Sequence, residues 1–379
     1  MTVTERRTPD ASSGTLPPLA IAGRLDRLRA LLDAAACEAL VVTELANIRY
    51  LTGFTGSAAQ LLVTPDAAVF VSDGRYRDQS AEQLAAAGVD AEVVIVAAEP
   101  DTAIIERIGS DVERVGLEAE SVSWAAQRRW ADQLGAGRTL VPTSGLVSEL
   151  RLVKDAGEAA RIRTACDIAD RAFAAVRPRL AERPTEIEFA MELDALMRRL
   201  GAEDVSFETI VASGPNGAKP HHRPSERVVA EGDLVVVDFG ALYEGYHSDM
   251  TRTVAVGAVG EERRRMLDVV LAAQQAGVEA VSAGAEASDV DAACRDIIDA
   301  AGLGEAFLHS TGHGVGLDIH EEPRVSSRSA ATLAAGHVVT VEPGVYLPEF
   351  GGVRIEDTVL VTEDGCDRLT LTPKDPILA

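Results

Sequence analysis

Long apolar runs, closely spaced cysteines and basic clusters are all scarce in this chain of 379 residues. No apolar run reaches the roughly 18 to 20 residues that a membrane span needs, so we expect no membrane partner. The four cysteines lie far apart without a C-x-x-C pair, which favours reduced thiols in a cytoplasmic protein. Lys plus Arg total 36 against 60 Asp plus Glu, a formal net charge of -24. Such a surface repels phosphate backbones, so we expect no nucleic-acid partner.

The length of the chain exceeds what one hydrophobic core usually organises, which predicts two domains. Residues 1–18 are polar and are predicted to form a disordered tail. Helical leucine spacing after Gly23, followed by alternating strand and helix patterns, predicts an α/β domain over residues 19–150. A junction at GLVSELRLVKD then precedes long amphipathic helix patterns, and a second domain is predicted over residues 151–379.

The second half of the chain is predicted to mix long helices with strands. In order, the predicted elements are helices at 156–177 and 185–200, a strand at FETIVAS, a loop at GPNGAKPHHRPSER, a hairpin at 234–253, and helices at 261–282 and 288–301. The Ser/Ala-rich stretch 326–334 is a further helix candidate.

Two aspartates interrupt the predicted hairpin LVVVDFGALYEGYHSDMTRT. A valine-rich strand enters Asp238, a turn is predicted over Gly240 to Gly245, and an alternating strand returns through Asp249. Because aspartate is a poor strand residue, the pair indicates either a functional site or two exposed carboxylates on an edge strand.

Histidine is absent before position 221, so any imidazole chemistry belongs to the C-terminal half. The segment TGHGVGLDIHEEP surrounds His313 with glycines, which let a backbone approach a ligand closely, and then presents His320. Its glycine spacing does not fit a dinucleotide-binding fingerprint. Outside this context we interpret His247, His309 and His337 as surface or core residues.

Two glutamates fall at positions where the strand pattern predicts burial: Glu342 at the end of HVVTVE and Glu356 within GGVRIEDTVLVT. A buried carboxylate is normally paired, protonated or bound to a cation. Arg354 could pair with one of these two glutamates, but one arginine cannot also neutralise Asp238 and Asp249.

The four carboxylates and His313 match the charge of two divalent cations. An oxygen-rich donor set with one imidazole favours Mn²⁺, Co²⁺ or Fe²⁺ over a structural zinc. Two-metal sites activate water for attack on a carbonyl or phosphoryl centre, so the expected reaction is a hydrolysis. The sequence has no Lys or Arg cluster near these residues, which argues against a phosphoesterase.

Seven motifs carry a resemblance to a known family: DGRY, VKD, SGPNGAKPHH, VDFG…YHSDMTRT, GHGVGLDIHEEP, VEPGVY and GGVRIED. With them the sequence resembles, from Arg24 to the C terminus, the Xaa-Pro peptidases (aminopeptidase P and prolidase) of the pita-bread-fold metallopeptidase family. The resemblance implies an α/β N-terminal domain of the creatinase/prolidase type, which the family uses for dimerisation, and an α+β pita-bread catalytic domain.

The same resemblance implies roles for the metal-site residues. Asp238 would bind the second metal, Asp249 and Glu356 would bridge both, and His313 with Glu342 would bind the first. Mn²⁺ is the expected metal, with Co²⁺ as the alternative, and a hydroxide would lie between the two ions.

Further residues receive catalytic or substrate-binding roles from the resemblance. His221, which directly follows Pro220 as in the family pattern, would bond to the scissile carbonyl or oxyanion, and His320 would contact the proline side of the substrate. Glu342 would also carry a proton to the leaving proline nitrogen. Arg354 and Tyr346 would support the site or contact substrate. No role follows for His222.

The implied activity is hydrolysis of the Xaa-Pro bond at the N terminus of peptides or in dipeptides, by a homodimer. The expected partners are small peptides with proline at the second position. An Xaa-Pro bond lacks an N–H, and a dinuclear site that activates water and polarises the carbonyl does not need one. The alternative is a non-peptidase amidinohydrolase or a binding protein on the same fold. Dipeptidase and aminopeptidase activity both stay open, because both branches carry the arginine of this motif.

Overall fold

The computed structural model describes residues 15–377, which fall into two compact units. Residues Leu19–Arg151 form one unit, and the chain from Leu152 onward forms the other together with the stretch before Leu19. Most of the predicted disordered tail lies outside the described residues, and 15–18 are neither helix nor strand. Across 15–377, no helix combines the length and apolarity needed to cross a membrane.

The N-terminal unit is a six-stranded sheet with short helices, which confirms the α/β prediction. Its elements are α1 Arg24–Arg29, β1 Ala39–Val42, α2 Leu45–Thr52, β2 Ala59–Val63, β3 Ala68–Asp73, α3 Arg77–Ala86, β4 Glu92–Val96, α4 Pro100–Ile105, β5 Arg114–Glu118, α5 Trp124–Leu134, β6 Thr139–Thr143 and α6 Leu146–Arg151. The strand order is β4-β3-β2-β1-β5-β6, and β2 pairs antiparallel with both neighbours while the other pairs are parallel.

The second unit combines four long helices with several small sheets. Its elements are α7 Ala156–Val176, α8 Glu186–Arg199, β7 Asp204–Val205, β8 Ile210–Ser213, β9 Leu234–Phe239, β10 Ala241–Tyr243, β11 Tyr246–His247, β12 Met250–Ala255, α9 Glu261–Ala280, α10 Ala287–Ala300, β13 Gly312–Gly314, β14 Glu321–Val325, β15 Val338–Val341, β16 Gly344–Leu347, β17 Gly351–Arg354, β18 Asp357–Thr362 and β19 Gly365–Arg368. The five-stranded sheet has the order β14-β13-β15-β18-β19, and one of the two three-stranded sheets has the order β12-β9-β8.

Two apolar clusters fix the helices of this unit onto its strands. Helices α7 and α8 each begin with a capping box, Asp155 with Glu158 and Thr185 with Glu188. One cluster packs α7 and α8 against β9 and β12, and the other packs α9 and α10 against β15 and β18. The strands therefore lie between two helix pairs, the arrangement expected of a pita-bread domain.

The predicted aspartate hairpin is present, but its turn is more elaborate than expected. Strands β9 and β12 pair antiparallel, with Asp238 opposite Thr251. Between them, β10 and β11 form a second small hairpin that joins β7 in a separate sheet. A Cβ atom at Gly240 would collide with the Ser248 carbonyl, so a residue without a side chain is needed where the chain leaves the first sheet.

The helix considered for residues 326–334 is absent, so that prediction is wrong. The backbone there pairs with the segment that leads into α10: the amide of Ala287, the first residue of α10, donates to the Ala331 carbonyl, and the amide of Gly284 donates to the Leu333 carbonyl. These tertiary hydrogen bonds, and the burial of Leu333, override the helical propensity of the sequence.

Candidate metal centre

The five residues predicted as metal ligands converge in the second unit, and strand ends or junctions supply four of them. Asp238 lies in β9, Asp249 directly precedes β12, His313 lies in β13, Glu342 directly follows β15, and Glu356 separates β17 from β18. One carboxylate oxygen from each of Asp238, Asp249 and Glu356 lies within 4.8 Å of the others. The Nε2 atom of His313 lies 3.6 Å from Oδ2 of Asp249 and 3.4 Å from Oε1 of Glu342.

Hydrogen bonds between the β12-β9-β8 sheet and the start of β18 set this geometry. The amide of Glu356 donates to the Thr251 carbonyl at 3.1 Å, and the Thr251 hydroxyl donates to Oε2 of Glu356 at 2.7 Å. The Thr358 hydroxyl donates to the Asp249 carbonyl at 2.7 Å. The aspartates of one sheet and the glutamate of the other are therefore joined through rigid strands.

The glycines around His313 allow close strand packing. A Cβ atom at Gly312 would collide with the Thr340 carbonyl, and one at Gly314 would collide with the Glu322 carbonyl. These positions therefore keep β13 tight between its neighbours and hold the imidazole at a fixed depth.

The hydrogen bond of His313 assigns its tautomer. Its Nδ1 atom lies 3.0 Å from the Gly314 carbonyl, which can only accept, so Nδ1 carries the proton. Burial lowers the pKa of His313 to about 3, so the ring is neutral at pH 7. The Nε2 lone pair then faces the oxygens of Asp249 and Glu342, an arrangement that repels unless a cation or a proton lies between them.

The carboxylates show the same need for positive charge. Burial, followed by the neighbouring carboxylates, raises the pKa of Asp249 and of Glu356 well above the usual range. Burial also raises the pKa of Glu342 to about 8, although Arg354 opposes the shift. Within residues 15–377, the buried atoms Oδ1 of Asp238 and Oε1 of Glu356 have no hydrogen-bond partner. Oxygen donors with unused lone pairs beside one neutral imidazole fit divalent cations.

Arg354 pairs with Asp238, so the alternative in which it pairs with Glu342 or Glu356 is wrong. Its Nη2 atom bonds to Oδ2 of Asp238, and its Nε donates to the Thr251 hydroxyl at 3.1 Å. The reason is geometric, because β17 carries Arg354 alongside β9 and its side chain meets Asp238 first. Asp238 thus has one neutralised oxygen and one unpartnered oxygen.

Tyr346 links Arg354 to His309, which we interpreted from the sequence as a surface or core residue. Nη1 of Arg354 donates to the Tyr346 hydroxyl at 2.7 Å. The hydroxyl in turn lies 2.9 Å from Nε2 of His309, whose Nδ1 bonds to the Ser310 carbonyl. Burial lowers the pKa of His309 to about 4, so this neutral ring accepts the hydroxyl proton. Arg354 and Tyr346 are thereby fixed in place beside the carboxylates.

A cavity of about 510 Å³ opens onto these residues, and all of its lining belongs to the second unit. His221 and His320 both line it, as does His309. The rings of His320 and His313 meet edge to face with centroids 4.4 Å apart. Tyr346 does not line the cavity and lies behind Arg354.

Sequence reasoning missed several residues of the cavity and its supports. Arg324 lines the cavity, is exposed, and has no carboxylate paired with its guanidinium among the described residues. His222 bonds through Nε2 to Oε2 of Glu186 at 2.9 Å. The position of Arg324 in β14, the strand that directly follows His320, was the available signal. Nothing in the sequence pattern connects Glu186 to the His221 segment.

Comparison with known proteins places both units. Residues 160–363 match the model of metallopeptidase family M24, and residues 24–153 match the creatinase/prolidase N-terminal domain. A curated Xaa-Pro dipeptidase from Pyrococcus furiosus is 36% identical over 354 residues, covering 93% of this chain and 99% of that protein.

Solved structures agree in fold over nearly the whole chain. An Xaa-Pro dipeptidase from Bacillus anthracis superposes with a TM-score of 0.90 at 39% identity, covering 94% of this chain and 100% of the other. An X-Pro aminopeptidase from Thermotoga maritima superposes with a TM-score of 0.84 at 35% identity, covering 93% and 99%. The chain belongs to metallopeptidase family M24 and combines a creatinase/prolidase N-terminal domain with a pita-bread catalytic domain.

Proposed function

We propose that this protein is an exopeptidase that uses two divalent cations to hydrolyse Xaa-Pro bonds in small peptides. The main support for this proposal is that four carboxylates and one neutral imidazole converge at the floor of a cavity lined by His221 and His320. Two buried oxygens of these carboxylates have no hydrogen-bond partner among the described residues. Relatives named as Xaa-Pro dipeptidases and X-Pro aminopeptidases, similar over more than nine-tenths of the chain, support the substrate class.

Asp238, Asp249, His313, Glu342 and Glu356 would hold the cations. The family resemblance implies that Asp249 and Glu356 would be the bridging residues, and these two are the most buried of the four carboxylates. Bound cations would lower the pKa of a water molecule and polarise the substrate carbonyl. The oxygen-rich donor set favours Mn²⁺, with Co²⁺ as the alternative.

The remaining site residues position the substrate and move protons. His221 donates a hydrogen bond to the carbonyl oxygen as negative charge develops there. As the water oxygen bonds to the carbonyl carbon and the C–N bond breaks, Glu342 carries the water proton to the proline nitrogen. His320 contacts the proline side of the substrate, and Arg354 holds Asp238 in place with the help of Tyr346.

Arg324 supports a preference for dipeptides. Three arginines line the cavity, of which Arg354 is paired with Asp238 and Arg223 with Glu208. Arg324 therefore has the guanidinium best placed to bind a free carboxylate, the group that directly follows proline only in a dipeptide. Within the cavity lining, Phe207, Ile210 and Ile319 provide an apolar surface for the substrate.

A cytoplasmic homodimer is the proposed working form. Three of the four cysteines are buried free thiols and the fourth is half-buried, as expected in a reducing compartment. The dimer is proposed from the family resemblance of the N-terminal domain and is tested by light scattering of the purified protein.

The decisive experiment compares an Xaa-Pro dipeptide, an Xaa-Pro-Yaa tripeptide and an Xaa-Ala dipeptide with one Mn²⁺-loaded preparation. We expect rapid cleavage of the Xaa-Pro dipeptide and much slower cleavage of the Xaa-Ala control. Exclusive cleavage of the tripeptide would reject the dipeptidase preference. Turnover of creatine without peptide cleavage would favour the amidinohydrolase alternative.

A further inference from the structure

The segment that carries His221 is anchored by a single buried carboxylate. This segment, here named the His221 loop, comprises residues 213–227 between the end of β8 and the approach to β9. It contains only a short 3₁₀ turn, Gly214–Ala218, and no longer helix or strand. Such a loop needs anchors if it is to hold a catalytic side chain in one position.

Glu186, the first residue of α8, supplies the anchor and is fully buried. Its Oε1 accepts hydrogen bonds from the amide and hydroxyl of Ser213, at 2.7 Å and 2.6 Å. Its Oε2 accepts bonds from the amide and hydroxyl of Ser225, at 3.1 Å and 2.6 Å. The side-chain amide of Asn216 donates to both oxygens. Both ends of the His221 loop are thus tied to one side chain.

The sixth donor to this carboxylate is the residue next to His221. Nε2 of His222 lies 2.9 Å from Oε2 of Glu186. Burial alone would raise the pKa of Glu186, but the hydrogen bonds from Ser213, Ser225 and Asn216 outweigh it and lower the pKa to about 2. Because an ionised carboxylate can only accept, His222 donates from Nε2.

The opposite side of His221 is also restrained. Nη1 of Arg354 donates to the carbonyl of Pro220 at 3.3 Å, and Pro220 directly precedes His221. The residues on both sides of His221 are therefore held in place, Pro220 by Arg354 and His222 by Glu186. Because His221 and His222 share a peptide bond, a displacement of His222 would also displace His221.

We infer that Glu186 and His222 are positioning residues that hold His221 at the substrate carbonyl. The inference rests on the proposed function, because His221 must act on the reacting carbonyl for its position to matter. It gives His222 a role that differs from substrate or metal binding. It also explains why two adjacent histidines face different partners.

The test compares His222→Ala and His222→Gln with the wild-type protein, all loaded with Mn²⁺, on an Xaa-Pro dipeptide. His222→Ala removes the donor and should lower kcat by about 100-fold, the cost of misplacing a catalytic group by about 1 Å. KM and bound metal should change little. His222→Gln, whose Nε2 amide can donate to Glu186, should recover much of the lost kcat.

Glu186→Gln places an NH₂ group against donors of the His221 loop and should lower kcat in the same way. Its matched control is Glu188→Gln on the same helix, since within residues 15–377 the Glu188 side chain bonds to Thr185 alone, and glutamine also suits this capping position. The control should keep wild-type kcat. Thermal unfolding of each variant shows whether it is folded.

A double-mutant cycle separates positioning from general damage. In a His221→Ala background, His222→Ala should cost little more, because the group it positions is gone. An equal loss in both backgrounds, or wild-type kcat for folded His222→Ala and Glu186→Gln, would overturn the inference while leaving the proposed function intact. A wild-type protein that binds metal but never cleaves Xaa-Pro substrates would refute the proposed function and the inference with it.

Discussion

Replacing Glu342 by glutamine is expected to stabilise the metal-free protein and to weaken the metal-loaded protein. The substitution keeps the shape of the side chain and removes its charge. In the metal-free protein, burial raises the pKa of Glu342 from 4.5 to about 8. Its side chain is only 17% exposed, so solvent screens this effect weakly. The opposite signs expected without and with metal make the substitution informative.

The size of the gain follows from linkage between proton binding and folding. Between pH 4.5 and about 8, folded Glu342 keeps a proton that the unfolded chain has lost, so wild-type stability falls as pH rises through this window. At pH 7 the difference spans about 2.5 pH units, or at most about 3 kcal/mol at 1.36 kcal/mol per unit. Glu342→Gln should recover about 3 kcal/mol at pH 7, at most about 5 kcal/mol above pH 8, and nothing below pH 4.5.

Metal should reverse the order of stability. At pH 7, a cation at about 1,000 times its Kd stabilises the wild-type protein by about 4.1 kcal/mol per site. This exceeds the gain of about 3 kcal/mol in chelator, and the variant loses a charged ligand and most of that stabilisation. Urea unfolding of both proteins, in chelator and in excess Mn²⁺, measures the two differences. The buried His309 and His337, whose pKa shifts oppose this pH trend, do not contact Glu342, so their contributions cancel between the two proteins.

Glu349→Gln is the matched control, because Glu349 lies on the exposed turn beyond β16. It should leave stability unchanged under both conditions. A Glu342→Gln variant that is less stable than wild type in chelator at pH 8 would refute the account of a carboxylate made costly by burial.

Two further substitutions test the metal site and the substrate end of the cavity. Asp249→Asn, at a proposed bridging position, should abolish metal-dependent hydrolysis and lower the bound metal measured by elemental analysis, while near-normal turnover would return Asp249 to a structural role. Arg324→Gln should raise KM for an Xaa-Pro dipeptide by about tenfold or more, the loss of a charge-assisted hydrogen bond of about 1.5–3 kcal/mol, and should change KM for an Xaa-Pro-Yaa tripeptide little. Equal effects on both substrates would remove Arg324 from carboxylate recognition.

Much of the fold could be read from local patterns. Long apolar periodicity made α7 and α8 visible, and the valine-rich runs marked β9 and β15. The short helices α2 and α4 were not predicted, because six to eight residues give too weak a periodic signal. The helix prediction for residues 326–334 was wrong because backbone partners distant in sequence set their conformation.

The residue types of the candidate site could be predicted from the sequence, but some of its contacts could not. The five converging residues could be proposed from their residue types because carboxylates at predicted buried positions need compensation. The carboxylate that pairs with Arg354 could not be predicted from the sequence, since the pairing depends on how β17 lies beside β9. The Glu186 anchor was also invisible, because it joins a helix terminus to a loop about 27 to 39 residues away in sequence.

The central claim is that these residues hold two divalent cations for peptide hydrolysis. The most direct measurement follows the rate of Xaa-Pro dipeptide cleavage while Mn²⁺ is added stepwise to chelator-treated protein, with bound metal quantified at each step. We predict no cleavage without metal and a rate that rises to a plateau at two bound ions per chain. Undiminished cleavage in excess chelator would contradict the account.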